Sequence, residues 1–234
     1  MLPVKALIFD LDGTLAAFNL DYRTVRKLVK NYLVGRGIPD NLLSLDESVF
    51  EMLRKTEAWA RESGKSEGFI DELRYEALNT TESYELEAAS RTNLLPGVVQ
   101  TLRALRTMGL RIGLCTINSE KSVDRILERF NLASLFDVTV SRNQVRHVKP
   151  DPEHLLVALK VLGVAPEETL VVGDSRVDMQ SAKALGAIAV GLPTGVSSVE
   201  QLMTGGADYI VTEMSDVPLL VRRLKENGHD KKIG

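Results

Sequence analysis

Lys5-Ala-Leu-Ile-Phe-Asp-Leu-Asp-Gly-Thr-Leu15 is an apolar run that ends in two carboxylates, a glycine and a threonine. Leu7, Ile8 and Phe9 suit a strand covered on both faces, as parallel strands in α/β proteins are. Strand side chains alternate with a period of two, so Asp10 and Asp12 can point to the same side at the strand's carboxyl end. Like charges at short range disfavour joint ionisation unless a cation lies between them or one carboxyl keeps its proton. The first option predicts a metal. Gly13 permits a turn and the close approach of a ligand, and Thr14 adds a hydroxyl able to orient a carboxylate. A competing reading is an Asx-type turn capping the next helix, but the strand before the pair and the Gly-Thr after it favour a site.

Outward from this stretch, Phe18 to Arg91 reads as helical. Tyr22, Val25, Leu28, Val29, Tyr32 and Leu33 recur at spacings of three and four, and Gly35 and Gly37 stop that helix. Ser44 with Glu47 has the form of a capping box, opening a helix through Phe50, Leu53 and Trp59 toward Gly64. Gly68 separates it from Phe69, Leu73, Ala77 and Leu78, and a last helical piece runs from Tyr84 to Ala89.

After Pro96-Gly97 strands and helices alternate. A helix through Val98, Leu102 and Leu105 stops at Gly109, and an apolar strand from Arg111 ends in polar residues at Asn118. Asn118 or Ser119 then caps a helix to Phe130. Phe136–Val140 reads as a short strand, Val145–Pro150 as irregular, and Pro152 or Glu153 as the start of a helix ending at Gly163. A buried strand, Thr169–Gly173, runs into Asp174-Ser-Arg-Val-Asp178 and a helix that Gly186 ends. Ile188–Val190 and Asp208–Val211 add strands, Ser215–Lys225 a closing helix, and the polar tail from Gly228 is expected to fray.

This alternation predicts an α/β fold: a doubly wound parallel sheet with helices on both faces and right-handed crossovers. Ligands bind at the carboxyl ends of strands in such sheets. Three strands here end in polar groups, at Asp10 and Asp12, at Thr116 and Asn118, and at Asp174 and Asp178, so all three ends should meet in one crevice.

A chain of 234 residues, 44% hydrophobic, can bury one large core or a core and a small second domain. The net charge of −3 argues against a broad basic surface, and hence against nucleic acid as a partner, while a phosphorylated metabolite needs only a local basic pocket. The single cysteine, Cys115, excludes an internal disulfide framework and fits a reducing compartment. No secretory leader and no membrane-spanning run is visible, so a cytoplasmic location is expected.

Asp10-Leu-Asp-Gly-Thr14 resembles the first motif of the haloacid dehalogenase-like hydrolases, which are mostly magnesium-dependent phosphatases, and the later motifs follow in the family's order. The resemblance implies a Rossmann-like core (1–16 and 93–234) with a small helical cap inserted after the first strand (17–92) that closes over the substrate. It makes Asp10 the nucleophile that forms an aspartyl-phosphate and Asp12 the general acid and base. Thr116 matches the hydroxyl that binds phosphoryl oxygens, with Asn118 and main-chain N–H groups assisting; a helix cap is the alternative for both. Lys149 matches the lysine that neutralises charge on the phosphate and on Asp10, and Pro150 after it pushes its backbone away from helix. A solvated surface lysine is the alternative. Asp10, Asp174 and the carbonyl of Asp12 are implied as Mg2+ ligands, with Asp178 supporting the site directly or through water. Ser175 matches a common family variant.

The function so implied is hydrolysis of a small phosphorylated metabolite, in the manner of phosphoglycolate phosphatase, by a monomer or homodimer. A sugar phosphomutase of the β-phosphoglucomutase type is the alternative, since the strand-end residues do not separate the two. A haloacid dehalogenase is disfavoured by the acid at Asp12. A phosphonate hydrolase would need a cap lysine that cannot be assigned, and a non-catalytic binding protein is disfavoured because no essential carboxylate or lysine is missing. Among other residues, His147, His154 and His229 read as turn or surface histidines and Cys115 as core. Trp59 and Phe50 read as packing within the helical segment. Phe18, Asn19, Tyr22, Arg23 and the segment Arg61–Gly68 are further candidates to approach the substrate.

Overall fold

The computed structural model describes residues 4–17 and 19–227. Phe18, the tail from Gly228 and His229 lie outside the described residues. The elements in chain order are β1 (Ala6–Phe9), α1 (Tyr22–Gly35), α2 (Val49–Glu62), α3 (Glu67–Arg91), α4 (Val98–Thr107), β2 (Arg111–Cys115), α5 (Glu120–Arg129), β3 (Val138–Val140), α6 (Glu153–Leu162), β4 (Thr169–Gly173), α7 (Arg176–Leu185), β5 (Ile188–Gly191), α8 (Val199–Gly205), β6 (Tyr209–Ile210) and α9 (Val217–Asn227). They fall into two compact units, Met1–Phe18 with Thr92–Gly234, and Asn19–Arg91.

The first unit is built on a six-stranded sheet in the order β3-β2-β1-β4-β5-β6, with every pair parallel. β1 is central, which explains its unbroken apolar run: Leu7, Ile8 and Phe9 are fully buried, each stabilising the fold by roughly 1.5–3 kcal/mol. Ala6, Ile8, Val171 and Ala189 pack with Leu155 and Leu159 of α6 and Met179 and Ala182 of α7. Leu7 and Phe9 alternate to the opposite face, and α4 packs against β2 and α9. The strand order runs outward in both directions from the neighbours β1 and β4, so the direction of winding reverses between them, the place where open α/β sheets bind ligands.

The second unit is a three-helix cluster. Val25, Val29 and Leu33 of α1, Met52 and Leu53 of α2, and Leu73 and Ala77 of α3 form its core. Two local expectations are corrected here. The serine that caps α2 is Ser48, whose hydroxyl accepts from the Glu51 N–H. Ser44 and Glu47 instead close a turn just before it, the Ser44 N–H donating to the Glu47 carboxylate. Ser44-x-x-Glu47 and Ser48-x-x-Glu51 carry the same pattern, so spacing alone does not choose between them. The two pieces expected after Gly68 are one helix, α3, with Gly68 in its first turn. Glycine there costs about 1 kcal/mol of helix propensity, which the burial of Leu73 and Ala77 outweighs. Thr80 and Thr81 continue the helix by donating their hydroxyls to the carbonyls of Glu76 and Ala77.

No helix of the described residues is long and apolar enough to cross a membrane.

Candidate active site

Register brings the first carboxylates together. Phe9 pairs with Val172 of β4 and with Leu114 of β2, and the Asp10 N–H donates to the Val172 carbonyl at 2.9 Å. Asp10 therefore leaves β1 beside Gly173, one residue before Asp174. Asp10 and Asp174 are buried, as are Thr116, Asn118, Lys149 and Asp178.

Lys149, in the irregular segment before α6, occupies the centre of this group. Its Nζ donates to Asp10 Oδ1 at 2.6 Å, to Asp178 Oδ1 at 2.5 Å and to the Cys115 carbonyl at 2.9 Å. With its side chain 3% exposed, it is no surface lysine. Burial opposes its charge, but Asp10 and Asp178 more than compensate and hold the ammonium above its ordinary pKa. Burial raises the Asp10 carboxyl well above the usual carboxylate range; Lys149 opposes that rise, while the charges of Asp178 and Asp174 add to it.

Asp178 is reached through the cap of α7. Ser175 is the N-cap, its hydroxyl accepting the Asp178 N–H, while the Asp178 carboxylate accepts the Ser175 N–H at 3.1 Å and the Ser175 hydroxyl. This reciprocal cap points Asp178 Oδ1 at Lys149. Asp178 thus takes part in the α7 cap and in the contact with Lys149 at once. Asp174 Oδ2 accepts the Val196 N–H at 2.7 Å; burial and then the charge of Asp178 lift this carboxyl to about 7.

At the end of β2, Thr116 Oγ1 accepts the Asn118 N–H at 3.2 Å. The Asn118 side chain donates to Asp12 Oδ2 at 2.6 Å, and Ser119 caps α5. Thr14 does not orient a carboxylate as expected: its hydroxyl is buried with no hydrogen-bond partner among the described residues. Sequence reading also passed over Arg142. Buried just after β3, it donates Nη1 to the Ile117 carbonyl at 3.2 Å, and its N–H bonds to the Asn118 carbonyl. It follows a strand end, as the other polar groups do, but it lies in an unbroken polar run, Ser141-Arg-Asn-Gln144, in which nothing sets it apart.

Asp10, Asp174 and Asp178 each bring one carboxylate oxygen within 4.8 Å of the others. A hard divalent cation takes oxygen donors at ~2.1 Å, with waters completing its shell. Three buried carboxylates share one buried ammonium, so the donor set fits such an ion both in chemistry and in charge.

The remaining candidates are distributed as follows. His154, expected at the surface, is buried: it lies in α6 with Nε2 3.2 Å from the Val140 carbonyl, and burial, aided by the charge of Lys149, pushes its pKa down to about 4. Its side chain falls on the same face of α6 as Ala158 and Leu162, a periodicity visible in the sequence. His147 is exposed, with Nδ1 2.9 Å from Glu153. Cys115 is core, its thiol pushed up to about 12 by burial. Within the helical unit, Trp59 packs on the cluster, Arg26 stacks over the Tyr22 ring, Asn19 and Arg23 are exposed, and Arg61 pairs with Glu67 at 3.0 Å.

A family model of haloacid dehalogenase-like hydrolases matches residues 4–186. The chain is 31% identical over 244 aligned residues to a phosphoglycolate phosphatase of Shigella boydii, with 97% of each protein covered. A hydrolase of Pseudomonas syringae superposes with a TM-score of 0.66 at 27% identity, over 95% of this chain and 98% of that one. A β-phosphoglucomutase of Clostridium difficile does so with a TM-score of 0.68 over 97% and 98%; at 20% identity this is a likeness of fold alone.

Proposed function

Because the chain belongs to the haloacid dehalogenase-like hydrolases and is a phosphatase acting on phosphoric monoesters, we propose that it hydrolyses a small phosphorylated metabolite of the phosphoglycolate type through an aspartyl-phosphate on Asp10. The observation that carries this reading is the junction of Asp10 and Lys149 at 2.6 Å, beside Asp174, where the sheet reverses its winding.

In this reading a carboxylate oxygen of Asp10 attacks phosphorus. The new O–P bond forms as the ester P–O bond breaks, and the departing alkoxide takes a proton from Asp12. Asp12, now ionised, removes a proton from a water that attacks phosphorus, breaks the acyl phosphate and regenerates the Asp10 carboxylate with release of orthophosphate. Lys149 favours the ionised form of Asp10 against its burial and offsets phosphoryl charge. Thr116 and the main-chain N–H groups of its turn take the phosphoryl oxygens, while the Asn118 amide orients Asp12. Asp10, Asp174 and the Asp12 carbonyl would hold Mg2+, with Asp178 in support; when bound, the ion supplies positive charge that offsets the clustered carboxylates and the phosphoryl oxygens. The helical unit Asn19–Arg91 serves as the cap that selects the substrate.

The test is orthophosphate release from 2-phosphoglycolate and a panel of phosphorylated metabolites with Mg2+, repeated in EDTA and with Asp10→Asn. Release that EDTA and the substitution both abolish is expected. An unchanged rate in Asp10→Asn, verified free of deamidation, overturns the covalent mechanism, and an isomerised sugar phosphate in place of orthophosphate overturns the hydrolase reading.

A further inference from the structure

The segment Pro193-Thr194-Gly195-Val196-Ser197, between β5 and α8, carries no acid, base or cation and is silent in the sequence reading. In the fold it is tied to two strand ends. Thr194 Oγ1 donates to the Gly13 carbonyl at 2.5 Å, the Val196 N–H to Asp174 Oδ2 at 2.7 Å, and Ser197 Oγ accepts the Arg176 N–H at 3.1 Å. One short loop thus fastens the turn after β1 to the turn after β4.

Two glycines complete the arrangement. A Cβ on Gly195 would meet Asp174 Oδ2 at 1.9 Å, and one on Gly13 would meet the same oxygen at 2.6 Å; each would also lie 2.9 Å from the other glycine's Cα. Gly13 has a φ of 77°, so its turn as well as its space asks for glycine. Gly195 is not among the positive-φ glycines, so what excludes a side chain there is the nearness of Asp174 and of the Gly13 backbone, not its own dihedrals. One oxygen of Asp174 is consequently both hydrogen-bonded and walled in, and the other remains for a ligand.

We propose that the 193–197 loop is a positioning clamp that makes Asp174 a one-oxygen ligand and so biases the site toward Mg2+ over Ca2+; this rests on the reading above that Asp174 holds a divalent cation. Mg2+ demands near-ideal octahedral geometry and keeps several waters, so a single fixed carboxylate oxygen suits it. Ca2+ takes more oxygens and commonly draws both from one carboxylate. With Oδ2 committed to the Val196 amide, Asp174 offers no second oxygen. Loosening the clamp frees the carboxylate to rotate, which weakens the Mg2+ geometry and supplies what Ca2+ lacks.

The experiment follows the thermal unfolding midpoint of the full chain across separate Mg2+ and Ca2+ titrations, which gives an apparent Kd for each ion without reference to turnover. It compares wild type with Thr194→Val, which keeps shape and removes one hydrogen bond, and Gly195→Ala. Residues that orient metal ligands typically contribute about 10- to 100-fold in affinity. The expected result is a Kd for Mg2+ raised by about tenfold or more, with that for Ca2+ unchanged or lowered, so that the preference between the ions shrinks. Variants with an unchanged ratio of the two constants, whatever their midpoint in EDTA, overturn the clamp and leave the metal reading intact. A wild-type midpoint that responds to neither ion overturns the metal reading, and the clamp with it. Should Gly195→Ala not fold, Thr194→Val decides.

Discussion

The Asn118 side-chain amide donates to Asp12 Oδ2 at 2.6 Å, so the turn after β2 grips the acidic turn after β1. Resemblance alone assigns this asparagine to the phosphoryl group; the fold puts it on the proposed proton carrier. Hydrogen bonds to a charged group contribute about 1.5–3 kcal/mol, or roughly one to two orders of magnitude in a rate. Asn118→Ala is expected to lower kcat by about that factor, with little change in KM. Steady-state kinetics decide: a KM that rises more than kcat falls would place the amide on the substrate instead.

Among the described residues, Lys149 is the cation that pairs with Asp10 and with Asp178, at 2.6 and 2.5 Å. Removing one partner of a buried ion pair is costly because the other charge is left uncompensated, commonly by about 3–5 kcal/mol. Lys149→Met, which keeps the stem and deletes the charge, is expected to lose stability of that order in EDTA and to lose most phosphatase activity. Urea unfolding in EDTA with an unchanged midpoint would show that the two carboxylates do not depend on the ammonium.

Much of this arrangement was legible because parallel strands announce themselves. β1, β2 and β4 are apolar runs that stop at Asp10, Thr116 and Asp174, and the chemistry begins where the hydrophobic pattern ends. Less was legible where the working group is a main-chain atom or a missing one. The Val196 amide and the absent Cβ of Gly195 leave no side-chain pattern to read. His154 was misplaced because its polarity outweighed its position on the inner face of α6, and Ser44 because two identical capping patterns stand four residues apart.

Glycine at 173 is required by a neighbour rather than by its own dihedrals. A Cβ there would lie 2.4 Å from the Asp178 carboxyl carbon, so Asp178 must leave both Lys149 and the Ser175 cap. Overpacking of this kind costs about 1–3 kcal/mol, and Gly173→Ala is expected to lose that much stability together with activity. Gly68→Ala is the contrast: nothing lies within 4 Å of that position, and it is helical, so a gain of up to about 1 kcal/mol is expected. Chemical denaturation of both variants measures the difference, and equal effects would remove the steric argument.

His154 gives the acid side of the stability profile a defined contribution. Burial, with help from the Lys149 charge, pushes its pKa from 6.5 to about 4, so in the folded protein it stays neutral well below pH 6. Below pH 6.5 the unfolded chain binds a proton that the folded one refuses, and the balance moves toward unfolding as pH falls. The contribution is therefore intact above 6.5, declines between 6.5 and 4, and is fully lost below. The loss is on the order of 3 kcal/mol. His154→Gln retains an N–H for the Val140 carbonyl, with which His154 Nε2 now pairs, but has no proton to gain. Unfolding free energies measured from pH 7 to pH 4 should therefore fall less steeply for the variant, whatever constant offset its packing introduces. Two curves displaced in parallel, with the same slope below pH 6.5, would mean that the imidazole is protonated as readily inside the fold as outside it.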